Sequence, residues 1–254
     1  MRRHVLALLT AALIGAGAAP LAGAAESIQI PEEPWSFQGI FGTFDRPALQ
    51  RGFQVYKDVC SACHSMSLLH YRDLQDIGLS EEQVKQIAAS VQVTDGPNDA
   101  GEMFERPGRP SDPFKAPFPN EQAARAANNG ALPPDLSLIV LARKGGADYM
   151  HALLTGFGDP PADLKMAPGM NYNKYFPGNQ IAMPPPLSEG AVTYADGTKA
   201  TVDQMSRDVA TFLAWASEPK LEQRHLTGVK TVLYLVVLSA LLYGVKRKVW
   251  AKVH

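Results

Sequence analysis

The five residues Cys60-Ser61-Ala62-Cys63-His64 contain the only two cysteines among 254 residues. Two thiols three positions apart on a helical turn can each form a thioether to a vinyl group of haem, and the adjacent imidazole reaches the iron. The spacing therefore predicts one covalently bound haem c, held by Cys60 and Cys63, with His64 as an iron ligand. A redox-active dithiol shares the C-x-x-C spacing, but it has no need of the histidine and expects a βαβ setting. A zinc site wants about four ligands, and no second Cys/His pair at ligand spacing occurs in the chain.

Helical signals surround this motif and strand signals are scarce. Asp45 or a neighbour can cap a helix with Pro47 in its first turn, and Leu49, Phe53, Tyr56, Cys60 and Cys63 recur at three- and four-residue steps. That stripe puts the cysteines at the C-terminal end of the helix. Ser80 and Gln83 form a capping box ahead of Val84, Ile87, Ala88 and Val91. Residues 120–129 read as a short helix stopped by Gly130, and further helices are expected over 135–143 and 147–155. The last helix before the C-terminal apolar run starts at Thr201, with Gln204 completing a box. It points Met205, Val209, Phe212 and Ala216 inward until Pro219. Prolines crowd the connections, five of them within 106–119 and seven within 155–199. The expected fold class is all-α: a small helical domain wrapped by long proline-rich loops, plus one C-terminal transmembrane helix. A flat cofactor would supply the apolar bulk that such loops cannot bury by themselves.

The two ends carry addressing information. Residues 1–24 open with Arg2 and Arg3, continue through an apolar run interrupted by Gly15, Gly17 and Pro20, and end in small residues, the pattern of a cleaved signal peptide. Residues 227–245 are apolar apart from Lys230 and at 1.5 Å per residue would span roughly 28 Å, the thickness of a bilayer's hydrocarbon core. Lys230 is near enough to the end of this span to snorkel. Lys246, Arg247, Lys248 and Lys252 follow, which places the 246–254 tail in the cytoplasm by the positive-inside rule. The 25–226 domain is then periplasmic, tethered to the inner membrane by a single pass through the lipid bilayer. The near-neutral total charge of −1 conceals an asymmetry: this domain holds 17 basic against 25 acidic residues, a net charge of −8. Such a domain repels nucleic acid and steers basic partners toward itself.

An iron bound by His64 has a second face to fill, by methionine, by another histidine or by nothing. A thioether favours ferrous iron and raises the potential. Met183 is the favoured candidate, because Ile181-Ala182-Met183-Pro184-Pro185-Pro186-Leu187 sets it on a stiff apolar loop far along the chain. Met66 is too close to the motif, Met205 lies on an amphipathic helix, and Met166 and Met170 remain open as loop residues. His70, His151 and His225 read as surface or packing residues. Arg143, beside Gly145 and Gly146, is a candidate propionate partner. The second nitrogen of His64 needs a carbonyl, from Pro133 or Pro134, with Pro134 taken as the site residue.

Taken together the segments resemble a family, cytochrome c1, the haem subunit of the ubiquinol to cytochrome c oxidoreductase (cytochrome bc1) complex. The resemblance is carried by Cys60 to His64, Tyr71-Arg72-Asp73-Leu74, the stretch from Asn128 to Ser137, the stretch from Ala142 to Tyr149, Tyr175-Phe176-Pro177-Gly178, Ile181 to Pro185, and Glu218-Pro219 ahead of a single anchor. It implies a class I c-type cytochrome domain in which His64 and Met183 ligate the iron, Cys60 and Cys63 hold the porphyrin and Arg143 meets a propionate. It also implies cytochrome b and a Rieske iron-sulfur protein as partners, a basic cytochrome c as acceptor, and a dimeric complex. Some bacterial relatives brace the loop before the methionine with an added cysteine pair, and this chain has none. Rigidity there is expected from prolines and packing. A stand-alone anchored carrier, a haem enzyme or gas sensor with an open iron position, and a periplasmic dithiol oxidoreductase are the competing functions.

Overall fold

Helix α1 (Arg46–Asp58) begins where Asp45 accepts a hydrogen bond from the Ala48 amide and Pro47 presets the first turn. The computed structural model describes residues 28–252, so the expected signal peptide lies outside the described residues. The helix buries Leu49, Phe53, Val55 and Tyr56 and ends at Asp58, before the cysteines. Cys60 instead opens a 3-10 turn, Cys60–Ala62, behind Val59, whose φ of −121° breaks the helical path. The helix therefore ends short of both cysteines, although Val59 and Cys60 still pack against the core.

Four more helices complete the domain. They are α2 (Glu81–Ala89), α3 (Glu121–Ala127), α4 (Gly146–Thr155) and α5 (Val202–Ser217), with a longer 3-10 segment at Tyr71–Ile77. Three of their starts follow local chemistry. Ser80 and Gln83 close a reciprocal box at 3.2 and 2.8 Å, and Asn120 accepts from Ala123 N at 2.9 Å. Thr201 accepts from Gln204 N at 3.1 Å, but the expected box is only half made, because the Gln204 amide turns to Asp208 at 3.1 Å. The helix expected over 135–143 does not form. Asp135 at its head accepts from Ser137 N at 2.8 Å, but its other oxygen is tied to Ser65 and Ser67, and the segment runs as successive turns with one α-type bond from Ala142 N to Leu138 O.

Two short antiparallel pairs accompany the helices. β1 (Gln92–Asp95) pairs with β2 (Phe104–Pro107), and β3 (Asn171–Tyr172) pairs with β4 (Gln180–Ile181). The acidic run of Asp95, Asp99, Glu102 and Glu105 falls on the first hairpin, largely in solvent.

The core is the crossing of α1 and α5. Phe212 sits 5.7 Å from Phe53, 5.8 Å from Tyr56 and 5.6 Å from Trp215, and Phe114 extends the cluster to Tyr56 and Tyr71 at 5.9 and 4.9 Å. Each such ring buried contributes about 1.5–3 kcal/mol. Beside it, Arg51 makes a bidentate pair with Asp208 at 2.9 and 3.0 Å, the carboxylate being only 1% exposed. Met66 and Met205 are fully buried in this core and serve as packing. His151 is also buried, with its ring edge toward Trp35.

Helix α6 (Leu221–Trp250) leaves this body. It is continuous over 30 residues, longer than the 227–245 segment, with mean hydropathy 1.8 over its most apolar window and none of that window buried. Its start is joined to the domain by Glu222, which accepts from Phe44 N at 2.7 Å and Arg46 at 2.8 Å. Arg247 and Lys248 occupy the last turn, where positive charge complements the helix dipole. By length and composition this helix can cross a membrane.

Candidate functional site

The turn after α1 is closed by hydrogen bonds from Cys63 N and His64 N to Cys60 O, at 3.1 and 2.9 Å. Both thiols are free, Cys60 half-buried and Cys63 exposed. Burial, followed by the neighbouring Cys63, pushes the Cys60 thiol up to about 12.

The imidazole of His64 is oriented by the backbone. Its Nδ1 lies 2.8 Å from Pro134 O, and the neutral ring donates its proton there. Burial lowers the His64 pKa, with the Pro134 carbonyl and Asp135 opposing, so the neutral form dominates near pH 7. The Nε2 lone pair is then left for a metal, the arrangement in which a carbonyl fixes both tautomer and ring plane.

Asp135 ties the two strands of chain that make this contact. It accepts from Ser65 Oγ at 2.9 Å, Ser67 N at 2.8 Å and Ser137 N at 2.8 Å. Leu136 N donates back to Ser65 O at 2.9 Å, and Leu68 N to Ser137 Oγ at 3.1 Å. The segment that follows His64 is thus locked to the segment that supplies Pro134.

Arg143 and Met183 come from separate loops. Arg143 is exposed in the turn before α4, where its guanidinium donates to the Ala142 carbonyl at 3.3 Å and its own carbonyl accepts from Gly146 N at 3.0 Å. Its charge reaches Tyr149, partly countering the upward pKa shift that burial imposes on that phenol. Met183 is half-buried just past β4, between buried Ile181 and Leu187. Among the alternatives, Met166 is half-buried and Met170 exposed, both in the loop ahead of β3. Hydrogen bonds join His64 to Pro134, whereas neither Arg143 nor Met183 makes one to the pentapeptide.

Behind the Met183 loop stands Asn173, wholly buried. Its amide donates to Leu153 O at 2.7 Å, and its carbonyl oxygen accepts from Tyr175 N at 3.0 Å and Phe176 N at 3.2 Å. Asn179, at φ +59°, donates back to Asn173 O and Lys174 O at 3.2 and 2.9 Å. Gln180 accepts from Ala167 N at 2.8 Å. One side chain therefore joins the end of α4 to the loop leading into β4. An amide network therefore braces the hairpin that precedes Met183.

The family model described as the Cytochrome C1 family matches residues 35–253. The chain belongs to the Cytochrome C1 family. It is similar to "Cytochrome c1-2, heme protein, mitochondrial" of Solanum tuberosum, 51% identical over 91% of this chain and 93% of that protein. It is also similar to "Cytochrome c1" of Rhodospirillum rubrum, 44% identical over 95% and 97% of the two chains. Against "Cytochrome b/c1" of Bradyrhizobium diazoefficiens it is 50% identical over 88% of its own length and 36% of that longer protein.

Within this Cytochrome C1 family chain, Asp135 and Asn173 were missed at the level of sequence. Asp135 stands in the sequence only as the first residue of the helix expected over 135–143, and Asn173 as one polar residue in a long loop. The surviving signal for Asp135 is Ser137 two residues on, the spacing of a local Asx turn. The Asp135 clamp makes an acid-stability prediction. Burial opposes its ionisation, but hydrogen bonds from Ser137, Ser67 and Ser65 outweigh that and hold its pKa at about 2. This is below an unfolded value of about 3.9, so its stabilisation is fully present above that pH and is lost as pH falls through about 2. Asp135→Asn should flatten the acid limb of a stability-against-pH curve below about pH 4. A curve of unchanged steepness would exclude the clamp.

Proposed function

We propose that this chain is the haem-bearing electron-transfer subunit of a ubiquinol to cytochrome c oxidoreductase complex, receiving an electron from a Rieske iron-sulfur protein and passing it to a cytochrome c. The observation that carries this reading is the pairing, in a Cytochrome C1 family chain, of two free thiols with an imidazole whose Nδ1 is held by Pro134.

The donor set fits a covalently bound haem c. Two cysteines at i and i+3 are unpaired, the adjacent imidazole keeps Nε2 free, and a neutral thioether is available on a braced loop. When bound, haem supplies the one-electron chemistry of its iron. Cys60 and Cys63 hold the porphyrin, and His64 and Met183 are the two iron ligands. Pro134 keeps the His64 ring in one tautomer and one plane. Arg143, free of any carboxylate partner among the described residues, supplies positive charge for a propionate. The fold around them is read as a class I c-type cytochrome domain with long proline-rich loops.

The same reading divides the chain into a signal peptide at 1–24, a haem domain at 25–226, a membrane anchor at 227–245 and a cytoplasmic tail at 246–254. The haem domain stands on the periplasmic side of a bacterial inner membrane. Its −8 charge suits a basic cytochrome c as acceptor. A single protein named "Cytochrome b/c1" among the relatives supports cytochrome b as a neighbour of this chain. The dimeric complex is part of the same proposal. That relationship also favours the complex over a stand-alone carrier or an open-iron enzyme.

The full chain run on a denaturing gel and stained for haem should keep its stain, and Cys60→Ser/Cys63→Ser should lose it. Colour that passes from the unaltered chain into acidified acetone would overturn covalent attachment.

A further inference from the structure

Residues 35–44, Trp-Ser-Phe-Gln-Gly-Ile-Phe-Gly-Thr-Phe, carry no charge and fold into a closed loop. Its base is fixed to the core. Trp35 Nε1 donates to Asp148 at 2.6 Å, and the Phe37 ring lies 5.6 Å from Trp35 and 5.0 Å from Phe44. The backbone closes on itself through Gln38 N to Trp35 O, Gly42 N to Gly39 O and Thr43 N to Ser36 O, at 3.2, 3.2 and 3.0 Å. Gly39 takes φ +76°, and a Cβ at Gly42 would stand 2.3 Å from Gln38 O. This is a built loop, and what it presents at its tip is apolar. Ile40 is 67% exposed and Phe41 76%, more than any large apolar side chain of α6. Leaving two such side chains in water forgoes about 1.5–3 kcal/mol each.

The position of the loop identifies what covers it. Glu222, in the first turn of α6, holds Phe44 N and Arg46, and His225 Nδ1 lies 3.4 Å from Gly42 O. The apolar surface of α6 begins at Leu226, itself exposed and one residue beyond His225, about 1.5 Å along the helix, with Lys230 the single charge between it and Lys246. The loop is therefore joined to α6 at the level where its apolar surface begins. An uncharged, internally hydrogen-bonded loop with one aliphatic and one aromatic tip side chain suits the boundary between lipid headgroups and acyl chains.

We propose that the 38–42 loop is a second membrane contact, with Ile40 and Phe41 seated in the lipid interface beside the outer end of α6. The proposal rests on α6 being the membrane anchor. Seating the loop there would set the height and tilt of the haem domain above the bilayer, which a single helix leaves free to vary.

The test uses the full, haem-loaded chain in phosphatidylcholine nanodiscs, with one spin label at a time on Phe41→Cys, Asp99→Cys or Val236→Cys. Asp99, in the turn of the β1–β2 hairpin, reports water, and Val236, midway along α6, reports the bilayer. Collision with a water-soluble nickel chelate should be several-fold weaker at 41 than at 99, with oxygen collision raised, giving a depth between the two references. Equal nickel access at 41 and 99, with 236 still shielded, would overturn the loop contact and leave the anchor intact. Nickel access at all three would overturn the anchor and the loop contact together. A label open to nickel in nanodiscs but closed to both reagents in the purified complex would assign the loop to a protein neighbour and exclude lipid.

Discussion

Gly52→Ala is expected to destabilise the domain by about 3 kcal/mol, although alanine is the better helix former. In an exposed helix the exchange would gain roughly 1 kcal/mol. Here a Cβ at position 52 would lie 2.0 Å from Asp208 O, 2.6 Å from Asp208 C and 2.7 Å from Phe212 Cβ. Two of those three atoms are backbone of α5, which cannot retreat as a side chain can. Asp208 is anchored by the bidentate Arg51 contact, and Phe212 is enclosed by Phe53, Tyr56 and Trp215. The helices must separate, and every ring in that crossing loses contact. Near-UV circular dichroism of the detergent-solubilised chain during denaturant titration reads this directly, since Phe212 and Trp215 lie beside the clash. A midpoint at or above that of the unaltered chain would contradict the close approach of α1 and α5.

Met183→Leu is expected to have the larger effect on function. Leucine keeps the apolar volume and removes the sulfur, so the loop should stay folded on its Asn173 network while the iron loses one donor. A thioether stabilises the ferrous state, and axial ligands as a class move haem potentials over about 0.8 V. The midpoint should fall by on the order of 0.2 V, and the reduced protein should acquire carbon monoxide binding. A potential that stays high, in a protein that still refuses carbon monoxide, would remove Met183 from the iron and return Met166 and Met170 to consideration. Thermal stability measured alongside separates a lost ligand from a collapsed loop.

Much of this fold is legible in sequence because the deciding contacts are short in sequence. Helix caps at Asp45, Ser80, Asn120 and Thr201 span three residues, so a cap and its target are seen together. The long apolar run of α6 is equally local, although its true start at Leu221 was hidden by Glu222 and Arg224, polar residues that join the helix to the domain. The segment 135–143 shows where this logic ends. Its pattern suits a helix, but Asp135 is also tied to Ser65 and Ser67 and Leu136 N to Ser65 O, contacts about 70 residues distant in the chain.

The pentapeptide by itself determined the cofactor chemistry, since thiol, thiol and imidazole sit within one turn of chain and their spacing is their geometry. A carbonyl from Pro133 or Pro134 on His64 was legible as well; only the tertiary structure decided between the two and what braces the hairpin before Met183. The His64 contact to Pro134 and the Ser65 contact to Asp135 each join residues 70 apart, and Asn173 reaches back 20 residues to Leu153. Bonds of that kind leave no periodicity in a sequence, because their partners are neighbours only in the folded chain.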